Sequence, residues 1–151
     1  MPQSLAQVYL HIVFSTKNRD PFLSNKDLRT EMHAYLGGTC NNLGCQVLIV
    51  GGVADHVHIL CMFVRTMTIG DFVGAIKRES SKWVKGKGGI LSKFAWQTGY
   101  STFSVGLSEI DRLKLYINGQ EEHHKKITFQ DEMRRFFKDY GVNFDEKYVW
   151  D

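Results

Sequence analysis

Apolar and polar positions alternate along the chain in a way that separates strand-like from helix-like runs. Gln7-Val8-Tyr9-Leu10-His11-Ile12-Val13-Phe14-Ser15 is rich in β-branched and aromatic residues and predicts a buried first strand. A polar turn, Thr16 to Pro21, ends it. Ser24, with Asp27 three residues on, predicts the cap of a helix that runs to Gly37 or Asn42, with Leu28, Met32 and Leu36 on its apolar face. Cys45 to Val50 reads as a second strand. Gly51-Gly52 is expected to break or bulge the chain before a third apolar run, Val53 to Val64, so that the two runs form an antiparallel hairpin. Thr68 opens a second helix, with Phe72, Ile76 and Trp83 on one face and Gly86 to Gly89 as its stop. Phe94 to Val105 predicts a last strand, broken near Gly99. Ser108 is expected to cap a helix from Glu109 to about Lys126, with Ile110, Leu113 and Ile117 as its core stripe. A final amphipathic helix, from about Phe129 to Asp139, buries Met133, Phe136 and Phe137.

The order β-α-β-β-α-β followed by two helices is the ferredoxin-like (RRM-like) layout, an α+β fold with an antiparallel sheet and helices packed on one face. With 151 residues, no repeat and no linker, the chain predicts one domain over residues 1–151. No apolar run approaches the ~20 residues of a membrane span, and Met1 to Gln7 has no leader character. The three cysteines, Cys40, Cys45 and Cys61, are odd in number and form no C-x-x-C, which argues against a disulfide framework or a zinc knuckle. They read as reduced, buried thiols of a cytoplasmic protein. A net charge of +3 permits a nucleic-acid partner without demanding one.

The candidate chemistry centres on Asp55-His56-Val57-His58-Ile59-Leu60. On a strand His56 and His58 point to one face and Val57 to the other, so the pair is either half of a metal site or two hydrogen-bonded histidines of a sheet. Ile59, Leu60 and Cys61 follow, which removes the carboxylate and third histidine of an H-x-H-x-D-H hydrolase. No P-loop, dinucleotide signature or catalytic triad is present. Downstream, Gln120 stands one helical turn after Tyr116, on nearly the same line. Two imidazoles and an amide oxygen would leave positions for water and a phosphate oxygen, and a tyrosine nucleophile would keep the phosphoester energy in a covalent bond. Lys17 and Arg19 in the first turn, and Lys77, Arg78 and Lys82 on the second helix, suit phosphate contact or a solvated face.

These residues resemble a known family. Asp55 to Leu60, preceded by Gly51-Gly52, is similar to the His-hydrophobic-His motif of HUH endonucleases. Tyr116-Ile117-Asn118-Gly119-Gln120 resembles the tyrosine-helix motif Y-I-x-x-Q of single-tyrosine transposases of the insertion sequence 200/605 type. Tyr9 to Lys17, Trp96-Gln97-Thr98-Gly99-Tyr100 with Phe103-Ser104-Val105, and Gln120 to His124 fit the same pattern in order. The resemblance implies His56, His58 and Gln120 as ligands of Mg²⁺ or Mn²⁺, and Tyr116 on the C-terminal helices as nucleophile. It also implies single-stranded DNA with hairpin ends as substrate, a 5′-phosphotyrosine and a free 3′-OH as products, and a homodimer in which the tyrosine helix of one subunit completes the histidine pair of the other. Gly106 is the expected hinge. Gly119 departs from the family, which commonly has Asn there, and the Asn-Pro typical of the palindrome-associated relatives is missing. The alternative is a hairpin-DNA-binding protein on the same fold that no longer cleaves.

Overall fold

The computed structural model describes residues 2–151. Four strands form one antiparallel sheet in the order β2-β3-β1-β4: β1 (Val8–Ser15), β2 (Gln46–Val53), β3 (His56–Phe63) and β4 (Ser101–Val105). Helices α1 (Lys26–Asn42) and α2 (Ile69–Lys85) join them, which is the ferredoxin-like arrangement expected from the pattern. Alternation along the strands sorts the sheet into two faces. On one, Leu10, Ile12, Phe14, Val57, Ile59 and Cys61 pack with Met32 and Leu36 of α1 and Phe72 and Ile76 of α2. On the other, α3 (Ile110–Asn118), the single turn α4 (Gln120–His123) and α5 (Phe129–Asp139) cover Val13, Leu60, Phe103 and the histidines. Helices therefore lie on both faces, and the second layer is the C-terminal one.

Several boundaries differ from the sequence expectation. Asn25, not Ser24, caps α1, its side chain accepting from the Leu28 N–H at 3.0 Å. Gly51-Gly52 does not break the sheet: β2 continues through both, paired with His58 and Val57, and the chain reverses at Ala54-Asp55. The irregularity falls between Val47 and Ile49 instead. Ser108 lies within a 3₁₀ turn, Leu107–Glu109, and caps nothing. The predicted long helix is interrupted at Gly119 (φ −91°, ψ 14°), a residue with little helical preference of its own. The caps Thr68 and the bounds of α5 agree with the pattern.

Cys40, Cys45 and Cys61 are free and fully buried. Burial pushes all three thiols up, Cys61 to about 12, so the reactive thiolate is disfavoured. An aromatic disulfide reagent is expected to leave all three untouched in the folded protein and to titrate all three in urea; rapid labelling without denaturant would contradict that burial. Among the described residues no helix is long and apolar enough to cross a membrane.

Candidate active site

β3 is a central strand, and its alternation turns His56 and His58 away from the α1/α2 core. Each imidazole is fixed through Nδ1. His56 Nδ1 donates to Asp55 Oδ1 at 2.7 Å, and His58 Nδ1 lies 2.8 Å from Nε2 of the fully buried His11, a diagonal neighbour on β1. Both Nε2 atoms therefore point inward, which is how ligating histidines are usually oriented by their outer partners. Above them Gln120 places Oε1 3.0 Å from His56 Nε2.

The groups converge on Glu132, buried on α5. Its Oε1 lies 3.1 Å from His58 Nε2, 3.4 Å from His56 Nε2 and 3.2 Å from His124 Nε2. Its Oε2 accepts from Gln120 Nε2 at 3.0 Å and from the Tyr116 hydroxyl. The Tyr116 hydroxyl also lies 3.3 Å from His123 Nε2. One donor atom each from His56, His58, His124 and Glu132 fall within 4.8 Å of one another, so this group could hold a metal ion.

The electrostatics follow from that convergence. Burial works against the Glu132 carboxylate, but the charge of His58 and the hydrogen bonds of His124, His56 and His58 outweigh it and hold Glu132 far below the usual carboxylate range. Burial likewise opposes a charged His56, yet hydrogen bonds to Asp55 and Glu132 raise it to about 9. His58 and His11 go down, mainly because they are buried. Tyr116 goes up, first from burial and then from the Glu132 charge beside it. This carboxylate thus keeps the phenol protonated, and a cation among the imidazoles would reverse the sign of that field.

The structure brings together four of the sequence-predicted residues, His56, His58, Tyr116 and Gln120, within one chain. It adds Glu132, which the sequence reading did not name, and brings in His11 and His124, which that reading held only within family-like stretches and without a role. The signal for Glu132 was present: it lies three residues after Phe129 and four before Phe136, so it interrupts an apolar stripe with a charge. Arg19 lines a cleft of about 770 Å³ that reaches His124 and is also bordered by Arg29, Lys125 and Lys126. Asn18 and Arg19 hold left-handed backbones, φ 56° at each, a conformation that costs energy for residues other than glycine. Lys17 is exposed in the same turn.

Arg78 and Lys82 are exposed on α2, across the sheet from the histidines. Lys77 is spent inside the protein. Its ammonium donates to the carbonyls of Gln97 (2.8 Å), Thr98 (3.3 Å) and Gly99 and sits over the Phe14 ring. Burial pushes Lys77 down to about 8 from its ordinary 10.5. Between those values the unfolded chain holds more protons than the folded one, so this residue's contribution to stability rises with pH there. Urea melts of wild type and Lys77→Met are expected to diverge in favour of wild type from pH 8 to 10.5; a difference independent of pH would refute the buried ammonium.

A ferredoxin-like sheet whose central strand carries a buried histidine pair, overlaid by a tyrosine and a glutamine one turn apart, defines the class of the protein. Residues 4–120 match the family described as transposase, IS200 like. The chain belongs to that family. It is 29% identical over 121 residues to the transposases for insertion sequence element IS200 of Salmonella typhimurium and of Salmonella typhi, covering 76% of this chain and 78% of each relative. A candidate transposase from Deinococcus radiodurans R1 shares the fold with a TM-score of 0.62 at 20% identity, over 80% of this chain and 95% of that one. A REP-associated tyrosine transposase solved bound to a REP hairpin has a TM-score of 0.59 at 12% identity, over 84% of this chain and 74% of that one.

Proposed function

We propose that this transposase is a metal-dependent single-stranded DNA endonuclease and strand transferase, with Tyr116 as nucleophile. The observation that carries the reading is the convergence of the Tyr116 hydroxyl and the inward nitrogens of His56 and His58 on one buried carboxylate. The donor set fits a divalent ion, since both imidazoles are pre-oriented through Nδ1 and turn Nε2 inward with the Gln120 oxygen. His56, His58 and Gln120 would hold Mg²⁺ or Mn²⁺, which as a Lewis acid withdraws charge from the scissile phosphodiester.

Tyr116 Oη attacks phosphorus, the bond from phosphorus to O3′ breaks, and the phenol proton is delivered in net terms to O3′. The products are a 5′-phosphotyrosine and a free 3′-OH. Attack of another 3′-OH on the same phosphorus regenerates Tyr116 and joins the strands, so element ends are cut and rejoined without a separate energy source. Arg19, Lys125 and Lys126 border the cleft beside His124 and would meet backbone phosphates, with Lys17 nearby, whereas Arg29 is engaged by Glu121 and the Leu23 carbonyl. Arg78 and Lys82 would serve strand segments that wrap the far face.

The DNA ends are hairpins in this reading, which the REP hairpin bound by the fold relative supports. The working unit is a homodimer in the cytoplasm. Leu107 and Leu115, 72% and 75% exposed on and just before α3, suit a second copy, and Gly106, with open space around its Cβ position, allows the tyrosine helix to swing to the partner's histidines. The test is a covalent-adduct assay with labelled single strands tiling the DNA around the gene, in Mn²⁺ or Mg²⁺. A denaturant-stable protein–DNA band that EDTA abolishes supports the reading. Tight hairpin binding with no band under any condition would leave a non-cleaving binding protein.

A further inference from the structure

The cleft beside Arg19 does not include the nucleophile. Tyr116 lines a different one, of about 410 Å³, between α3 and α5, whose walls include Leu113, Phe136 and Tyr140. That volume falls within the roughly 300–1,000 Å³ of small-molecule sites. The two clefts are linked through a third. His123 and Arg135 border the tyrosine cleft and the intervening one, and Lys126 and Ile127 border the intervening one and the Arg19 cleft. A strand laid along Arg19, Lys126 and Arg135 therefore arrives at Tyr116.

Two features of the tyrosine cleft point to a nucleotide. The first is aromatic. Tyr140, the residue after α5, stacks on Phe103 with centroids 4.7 Å and planes 28° apart, and Phe103 stacks on Phe136 at 5.3 Å and 23°. Tyr140 is 48% exposed and lines the cleft, so the stack has an open end. A flat, unpaired base extends it. Phe103 belongs to β4, which anchors the stack to the sheet that carries the histidines. The second feature is an unspent cation. Arg112 is paired with Glu109, and Arg134 with Asp131 and Glu146. Arg135, exposed at the same rim, is in no ion pair among the described residues. Its planar guanidinium matches the oxygens of a phosphate. Asp139 borders the rim one turn later, which favours a phosphate on the His123 side of Arg135.

We infer that this cleft seats one unpaired nucleotide next to the scissile phosphate, with its base on Tyr140 and its phosphate on Arg135. The inference rests on Tyr116 as the proposed nucleophile and names two positioning residues that hold the strand beside it. A base in a duplex must first be unstacked and unpaired to reach Tyr140, so the same subsite discriminates in favour of single strands.

The test is the fluorescence anisotropy of a labelled oligothymidylate on the full chain, across a salt series. Arg135→Gln is expected to weaken binding about tenfold at low salt and to reduce the slope of log K against log salt by about 0.7, the loss of one phosphate contact on a single strand. Tyr140→Ala is expected to weaken binding on the order of tenfold with the slope unchanged, the loss of one stacked base, and Tyr140→Trp to restore it. Arg134→Gln removes the same charge from a paired residue and should leave affinity and slope at the wild-type values. A strand carrying 5-bromouracil should crosslink to Tyr140 of the wild type on irradiation, a readout that needs no variant to fold. Equal losses in Arg134→Gln and Arg135→Gln would reduce the effect to diffuse charge and overturn the inference, as would crosslinks confined to residues outside the cleft. Adduct formation by wild type with none of these losses would overturn the subsite alone. No adduct on any strand, with the losses intact, would instead overturn the cleavage chemistry and leave a binding cleft.

Discussion

Tyr116→Phe is expected to form no covalent adduct on any single-stranded oligonucleotide, while it still binds DNA and still folds. The substitution removes one oxygen and nothing else. The ring keeps its contacts with His58 and Phe136, at centroid distances of 5.9 and 5.8 Å, and Glu132 Oε2 keeps its hydrogen bond from Gln120. Losing the hydroxyl costs about 1 kcal/mol of stability, the net worth of a hydrogen bond, against complete loss of the only atom proposed to attack phosphorus. The ion dependence follows from the same contacts. Burial and the adjacent carboxylate both push the Tyr116 phenol up, so without a cation the hydroxyl is held as a protonated donor to Glu132. Wild-type adduct should therefore vanish in EDTA and return with added divalent ion. A band that survives Tyr116→Phe would place the nucleophile elsewhere, and Tyr140 and Tyr148, both exposed, would be the next to replace.

The fold was legible because its signals are periodic. The Val57/Ile59/Cys61 face and the His56/His58 face separate by simple alternation, and α5 announces itself through Met133, Phe136 and Phe137. Half of the site was legible for the same reason, since Tyr116 and Gln120 share a helical line that survives the interruption at Gly119. The places of Glu132 and His124 were not, because packing sets them: Glu132 interrupts an apolar stripe but meets His56 and His58 more than 60 residues earlier, and His124 meets Glu132 only once α5 folds back. The part of His11 was not legible, because a histidine inside an apolar strand looks the same whether it packs or orients another ring. The Gly51-Gly52 pair was misjudged as a break because glycine in a strand weakens pairing on average. Its use here is close approach of another backbone, which only the packed structure reveals.

That use makes Gly51→Ala the other substitution of large expected effect. Gly51 is paired with His58 across the β2–β3 ladder and lies under α3. A Cβ there would stand 2.6 Å from the Ile117 carbonyl oxygen and 2.7 Å from Ile117 Cγ2, so the tyrosine helix, not a flexible side-chain tip, has to give. Ile117 is 1% exposed and anchors α3 in a cluster with Leu60, Val105 and Ile110. Lifting it costs about 1–3 kcal/mol of stability, the usual penalty of overpacking. The larger consequence is positional: Tyr116 precedes Ile117, and a shift on the order of 1 Å in a reacting group can cost a hundredfold in rate. Gly51→Ala is therefore expected to melt earlier and to lose adduct formation by about that factor, although His56 and His58 are untouched. Gly37→Ala supplies the control with the opposite sign. On α1 its new Cβ would meet Val47 Cγ1 and Val50 Cγ2 at 3.7 Å, an ordinary contact, and replacing a helical glycine gains about 0.5–1 kcal/mol. Thermal melts of the two variants should move in opposite directions, and only Gly51→Ala should weaken the adduct. If Gly51→Ala melts with wild type and retains full adduct yield, α3 is not seated on β2 beside His58 in the working protein.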